Sequence, residues 1–128
     1  MTGKQPRPVK VNIADKMARF DEIYSPKVIA ELNGQFVKLV KCLGEYVWHA
    51  HRNEDEMFFV VNGSLRIEFR DGPVTLNPGE FLVVPRGVEH RPVADELCEI
   101  IIFEPASVRN TGDVDHGYTI EPNDLEHI

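Results

Sequence analysis

Three turn pairs set the strongest limit on what this chain can fold into. Asn33-Gly34, Asn62-Gly63 and Asp71-Gly72 each interrupt a run rich in apolar and β-branched residues. An Asn-Gly or Asp-Gly pair supplies the positive φ angles of a tight hairpin turn. The first pair separates Val28–Leu32 from Gln35–Leu43, and the second separates Met57–Val61 from Ser64–Phe69. Both are therefore read as hairpins. Further short runs, Val74–Leu76, Phe81–Val84 and Leu97–Phe103, are divided by Pro78-Gly79 and Pro85-Arg86-Gly87, which are turn signals too. Many short strands with no helix between them imply an all-β class, an antiparallel sandwich or barrel.

The ends of the chain read differently. Ile13, Met17, Phe20 and Tyr24 recur at helical spacing and predict one short amphipathic helix, capped by Asn12 with Asp15 and stopped at Ser25-Pro26. The expected division is an N-terminal arm with a short helix (1–26), a β-barrel (27–104) and a polar C-terminal tail (105–128). The tail is expected to lie on the surface, or to gain order against a partner. At 128 residues the chain is expected to be one domain. Its 14 Lys and Arg against 21 Asp and Glu leave a net charge of −7, which argues against nucleic acid and against anionic lipid surfaces as partners. Apolar runs such as Met57–Val61 fall far short of the roughly 20 residues a spanning helix needs. No secretory signal is evident, since Lys4, Arg7 and Lys10 have no apolar stretch between them. A cytoplasmic location is expected. Cys42 and Cys98 are read mainly as buried thiols, with a disulfide as the alternative.

The chemistry lies in a small set of histidines. His49 and His51 stand two apart and would share one strand face. Glu56 opens the returning strand after a polar turn, and His90 follows Pro85-Arg86-Gly87. Imidazole and carboxylate together suit a divalent first-row metal. The pattern His49-x-His51-x4-Glu56-x6-Gly63 resembles the first cupin motif, and Gly79-x5-Pro85-x-Gly87-x2-His90 resembles the second. The likeness extends to small single-domain microbial cupins and to the cupin part of bacterial phosphomannose isomerases. Two departures stand out. Four residues separate Gly44 from His49 where the family pattern has five, a difference a β-bulge would absorb. Ala94 stands where the second motif often ends in Asn.

The resemblance implies a double-stranded β-helix, or jelly roll, holding one divalent metal ion per chain (Fe, Mn, Ni, Cu or Zn) through His49, His51, Glu56 and His90. His116 and His127 fall outside both motifs and are assigned no role. Strand alternation predicts that Val47 and Glu45 point inward with the histidines, and that Phe58 and Val60 follow Glu56. Lys38 alternates with Phe36, Val40 and Cys42, so it lies either inside the barrel or solvated on a sheet edge. An apolar cavity with few groups able to move a proton favours metal-centred chemistry of dioxygenase type on a small anionic or carbonyl substrate. Three alternatives stay open: a sugar-phosphate isomerase, which would need Lys38 for phosphate, a binder without activity, and a metal-free barrel with a purely structural role. A homodimer is expected, since a small barrel leaves sheet edges to cover.

Overall fold

The computed structural model describes residues 5–128; residues 1–4, the start of the predicted arm, lie outside the described residues. A five-residue helix, α1 (Ile13–Met17), precedes eight strands: β1 (Lys27–Leu32), β2 (Gln35–Glu45), β3 (Glu56–Asn62), β4 (Leu65–Phe69), β5 (Gly72–Leu76), β6 (Phe81–Val84), β7 (His90–Pro105) and β8 (Glu126–His127). They form one open jelly-roll sheet in the order β5-β4-β7-β2-β1-β8, with β3 pairing both β7 and β6. All pairs are antiparallel except the short β1–β8 contact.

β7 holds this arrangement together. Its first residues pair with β4, its last eight pair with β2 on one side, and five of these, Glu99–Phe103, pair with β3 on the other. The predicted Leu97–Phe103 strand is thus the second half of a longer one that starts at His90. Exposed Asp95, Glu96 and Leu97 mark where it turns from one face of the roll to the other.

Two of the three turn pairs make hairpins. Asn33-Gly34 joins β1 to β2, with both residues at positive φ, and Asp71-Gly72 joins β4 to β5. Asn62-Gly63 does not, because β3 and β4 never pair. It is a corner at which the chain changes partners. Gly63 is required there: its φ is +87°, and an added Cβ would lie 2.7 Å from the Leu97 carbonyl oxygen.

β2 is buried on both faces for separate reasons. Phe36, Lys38, Val40 and Cys42 point into the roll, as the alternation requires. Leu39, on the outer face, lies beneath Met17 and Phe20 of the N-terminal arm. The helix is shorter than its periodicity predicts. Asn12 does cap it, accepting from the Asp15 amide at 2.9 Å, but it ends at Met17. Phe20 and Tyr24 serve different clusters: Phe20 covers Leu39 outside, while Tyr24 enters the core. The chain reaches both places by turning at Tyr24, whose φ is +54°.

The C-terminal segment differs most from expectation. Rather than lying free on the surface, it folds back over its own barrel. Val108 and Thr111 are fully buried, Leu125 packs with Val28 and Phe36, and β8 adds to the edge of β1. Cys42 and Cys98 face each other across β2 and β7 as free thiols, both buried. Burial raises both, Cys98 to about 11, so neither is ionised at neutral pH.

Candidate metal centre

All four predicted ligands come together. One ligand atom from each of His49, His51, Glu56 and His90 can be chosen so that all lie within 4.8 Å of one another, and all four residues are buried. An irregular segment carries His49 and His51, the first residue of β7 is His90, and backbone hydrogen bonds lock the two together. His49 and His90 exchange amide-to-carbonyl bonds of 3.1 and 2.9 Å, and the Gly87 amide donates to the His51 carbonyl at 2.8 Å. Asp55 adds a side-chain tie to the Arg86 amide at 2.9 Å. Glu56 is the first residue of β3, fixed by its pairing with Val84.

The backbone also sets the histidine tautomers. His49 Nδ1 lies 2.9 Å from the Val47 carbonyl, and His90 Nδ1 lies 2.9 Å from the Val88 carbonyl. Each carbonyl requires a proton on Nδ1, which leaves an Nε2 lone pair for the centre. His90 Nε2 then stands 3.2 Å from Glu56 Oε1. His51 Nε2 stands 3.3 Å from the same oxygen and makes no hydrogen bond of good geometry among the described residues. Lone pairs facing one carboxylate oxygen, all away from water, need a shared proton or a cation between them. The donor set and the unpartnered nitrogen therefore fit a divalent ion.

The titration of these groups follows from the crowding. Burial and the neighbouring His90 bring His49 down to about 4. His51 is also opposed by burial, but its contact with Glu56 outweighs this and raises it. Burial works against the Glu56 carboxylate as well, yet its polar neighbours hold it well below the usual range.

A narrow cavity of about 30 Å³ adjoins His49 and Glu56. Its apolar wall includes Phe58, Ile100 and Ile102. Lys38 is inside the barrel and fully buried, with its Nζ 2.6 Å from Glu104 Oε2. Glu104 itself lines the cavity. Burial and the Glu56 charge raise its carboxyl well above the ordinary range.

The inward neighbour of the histidines is not Val47 or Glu45 but Tyr46. Glu45 is exposed, whereas Tyr46 lines the cavity and meets His49 edge-on at 5.4 Å. The β2 register shifts between Cys42 and Gly44, and the segment after Glu45 is not a strand, so strand parity cannot be carried through it. Phe58 and Val60 do follow Glu56 inward. The interior thus holds more proton-bearing groups than the alternation suggested: Glu104, Tyr24 and Tyr46 besides the ligands.

The C-terminal segment completes this side of the cavity. Asn110 lines it, and Tyr118 stacks on Tyr46 with ring centroids 5.5 Å apart. Gly112 presses on the ligand segment: a Cβ there would meet the Ala50 carbonyl oxygen at 2.3 Å and His49 Cδ2 at 3.2 Å. His116 packs on Tyr118 and His127 on Phe36, and neither joins the centre.

Comparison with known proteins agrees with this architecture. The cupin-domain family model matches residues 43–103, which span both histidine segments. A cupin-2 domain containing protein from Shewanella frigidimarina is 52% identical, with a TM-score of 0.74 over 74% of this chain and 93% of that one. Protein NMB1881 from Neisseria meningitidis is 35% identical, with a TM-score of 0.70 over 76% of this chain and 99% of that one. The uncharacterized protein YdbB of Bacillus subtilis is 41% identical over 64 residues, 49% of this chain. The match spans 57% of that curated relative's length.

Proposed function

The chain belongs to the cupin superfamily, and from that premise we propose that it is a metal-dependent enzyme of dioxygenase-like type acting on a small oxygen-bearing molecule. One divalent ion would be held by His49, His51, Glu56 and His90. The observation that carries this reading is the unpartnered, buried Nε2 of His51 beside the Glu56 carboxylate and the Nε2 of His90. Such an ion would supply Lewis acidity to a coordinated oxygen and, if redox-active, electron transfer to dioxygen.

The chain's own residues provide the setting. The Val47 and Val88 carbonyls hold two imidazoles in the ligating tautomer. Phe58, Ile100 and Ile102 limit water on one side of the cavity, which strengthens electrostatic interactions inside it. The sugar-phosphate alternative loses support, because the cavity wall has no Lys or Arg and the Lys38 ammonium is already engaged by Glu104.

Elemental analysis of the purified protein tests the centre, and oxygen uptake by the Fe(II)-loaded protein tests the chemistry. One ion per chain is expected, lost in His49→Ala and His90→Ala while the circular dichroism of the barrel persists. Full occupancy in both variants would falsify the ligand assignment. Absence of oxygen uptake across small hydroxy and carbonyl compounds would move the reading to a binder without activity.

A further inference from the structure

Among the described residues the sheet has three edges, and two of them are blunted. β5 carries Pro73, which has no amide hydrogen to offer. At the far edge β8 is two residues long, and β1 beside it is bulged between Val28 and Ala30. Prolines, short strands and bulges are the devices by which sheets avoid edge-to-edge contact. β6, the third edge, has none of them. It reads Phe81-Leu82-Val83-Val84 and pairs, among the described residues, with β3 alone.

Alternation decides what this edge presents. The Val60 amide donates to the Glu80 carbonyl at 3.0 Å, so the Glu80 carbonyl faces β3. Leu82 and Val84 are in step with Glu80 and direct their backbone groups to β3 as well. The N–H and C=O groups of Phe81 and Val83 therefore point to the free edge. The side chains of the same two residues are uncovered, with 59% and 51% exposure, although both are large and apolar. Beside them on the outer face stand Phe59 and Met57, each half-buried.

We propose that β6 is the surface on which two copies of this chain pair, antiparallel and edge to edge, about a two-fold axis at Leu82. In that register Phe81 of each copy lies opposite Val83 of the other. All the N–H and C=O groups that Phe81 and Val83 offer are then matched by the same groups of the second copy. The exposed Phe81 and Val83 side chains meet as cross-strand neighbours on the outer face. Charge agrees with a second copy as the occupant. Glu80 precedes β6 and Arg86 follows it, so antiparallel pairing brings the acidic end of one strand to the basic end of the other, at diagonal positions that long side chains span. Arg86 is 63% exposed, and its side chain reaches Asp55 only at 3.4 Å. In a chain of net charge −7, this local match opposes the repulsion between copies. A contact related by a two-fold axis closes at two copies and leaves no β6 edge to extend.

Sedimentation equilibrium tests the pairing. The apparent mass should rise from 14.6 kDa towards twice that value between about 1 µM and about 1 mM, the range suited to a small interface. Over the same range, amide hydrogen exchange at Phe81 and Val83 should slow at least about tenfold, while Leu82 and Val84, bonded to β3, should change little. Val83→Pro removes an N–H that faces the free edge and none that the β3 ladder uses, so the fold should persist and association should weaken at least about tenfold. Phe81→Lys alters only an exposed side chain and should also give a monomer; it decides the matter if circular dichroism shows that the proline variant does not fold. A constant mass of one chain overturns the proposal. So does a dimer that survives either folded variant, or one in which exchange at Phe81 and Val83 is unchanged, since the contact then lies elsewhere.

Discussion

The two segments that flank the barrel are both irregular in sequence, but they bear on the site differently. The N-terminal arm lays Met17 and Phe20 on the outer face of β2, above Leu39, away from the histidines. The C-terminal segment covers the inner side: Asn110 lines the cavity, Tyr118 stacks on Tyr46, and Gly112 touches the segment that carries His49. The arm mainly shields the sheet and reaches the cavity only through its last residues, Tyr24 and Pro26, whereas the C-terminal segment lies against both the cavity and the His49 segment.

The largest effect is expected at Gly112. Alanine there would carry both the strain of a φ of +60° and an overlap with the Ala50 carbonyl. Together these should cost about 3–5 kcal/mol. Metal affinity should fall as well, because the segment next to His49 must shift. Denaturant unfolding with a parallel metal titration checks both, and unchanged affinity would reduce the C-terminal segment to a passive cover.

Next is the acid response of the metal-free protein. Burial and the neighbouring His90 bring His49 from its ordinary value of 6.5 down to about 4 in the folded chain. Between those pH values the unfolded chain binds a proton that the folded chain does not, so stability drops as pH falls through this window. The His49 contribution is roughly 3 kcal/mol, fully present above pH 6.5 and lost below about 4. Raised His51 acts in the opposite sense over part of the range. Comparing the pH dependence of unfolding with that of His49→Gln isolates the term. Parallel curves would show that His49 is not held neutral.

Phe20→Ala provides the contrast on the other side. It should cost about 3 kcal/mol as a buried aromatic, yet leave metal stoichiometry and affinity unaltered. A fall in metal affinity would break the separation of the two segments. Asn12→Ala should have the smallest effect, about 1 kcal/mol from loss of the cap, read as a shift of the denaturation midpoint. A loss above 2 kcal/mol would mean the arm stabilises more than its own first turn.

The clustering of the four candidate ligands was legible in the sequence because their spacing tolerates local irregularity. His49, His51, Glu56 and His90 remain in order whether or not Tyr46–His51 is a strand. Tyr46 was hidden because residues 46–48 are not a strand, so parity counted back from His49 does not hold there. Glu104 was within reach. Cys98, Ile100 and Ile102 alternate inward, and the next position in that series is Glu104, one residue beyond the predicted end of the strand. Asn62-Gly63 misled in the opposite direction. A turn pair fixes a change of direction, but not which strand receives the chain, and here β7 intervenes between β3 and β4. The burial of Thr111 and Val108 left no periodic signal, because that segment reaches the site through single contacts rather than a repeating face.

The central place of β7 has a consequence for how the molecule is made. Every strand from β2 to β4 needs β7 as a neighbour, and β7 spans residues 90–105 of a chain of 128. A chain emerging residue by residue exposes His49, His51 and Glu56 well before the strand that completes their surroundings. The roll can close only after β7 has emerged, with pairings that span long stretches of sequence, a topology that folds slowly. His90, at the start of β7, is the last of the four clustered residues to be made, so the candidate centre is complete only once β7 begins to emerge.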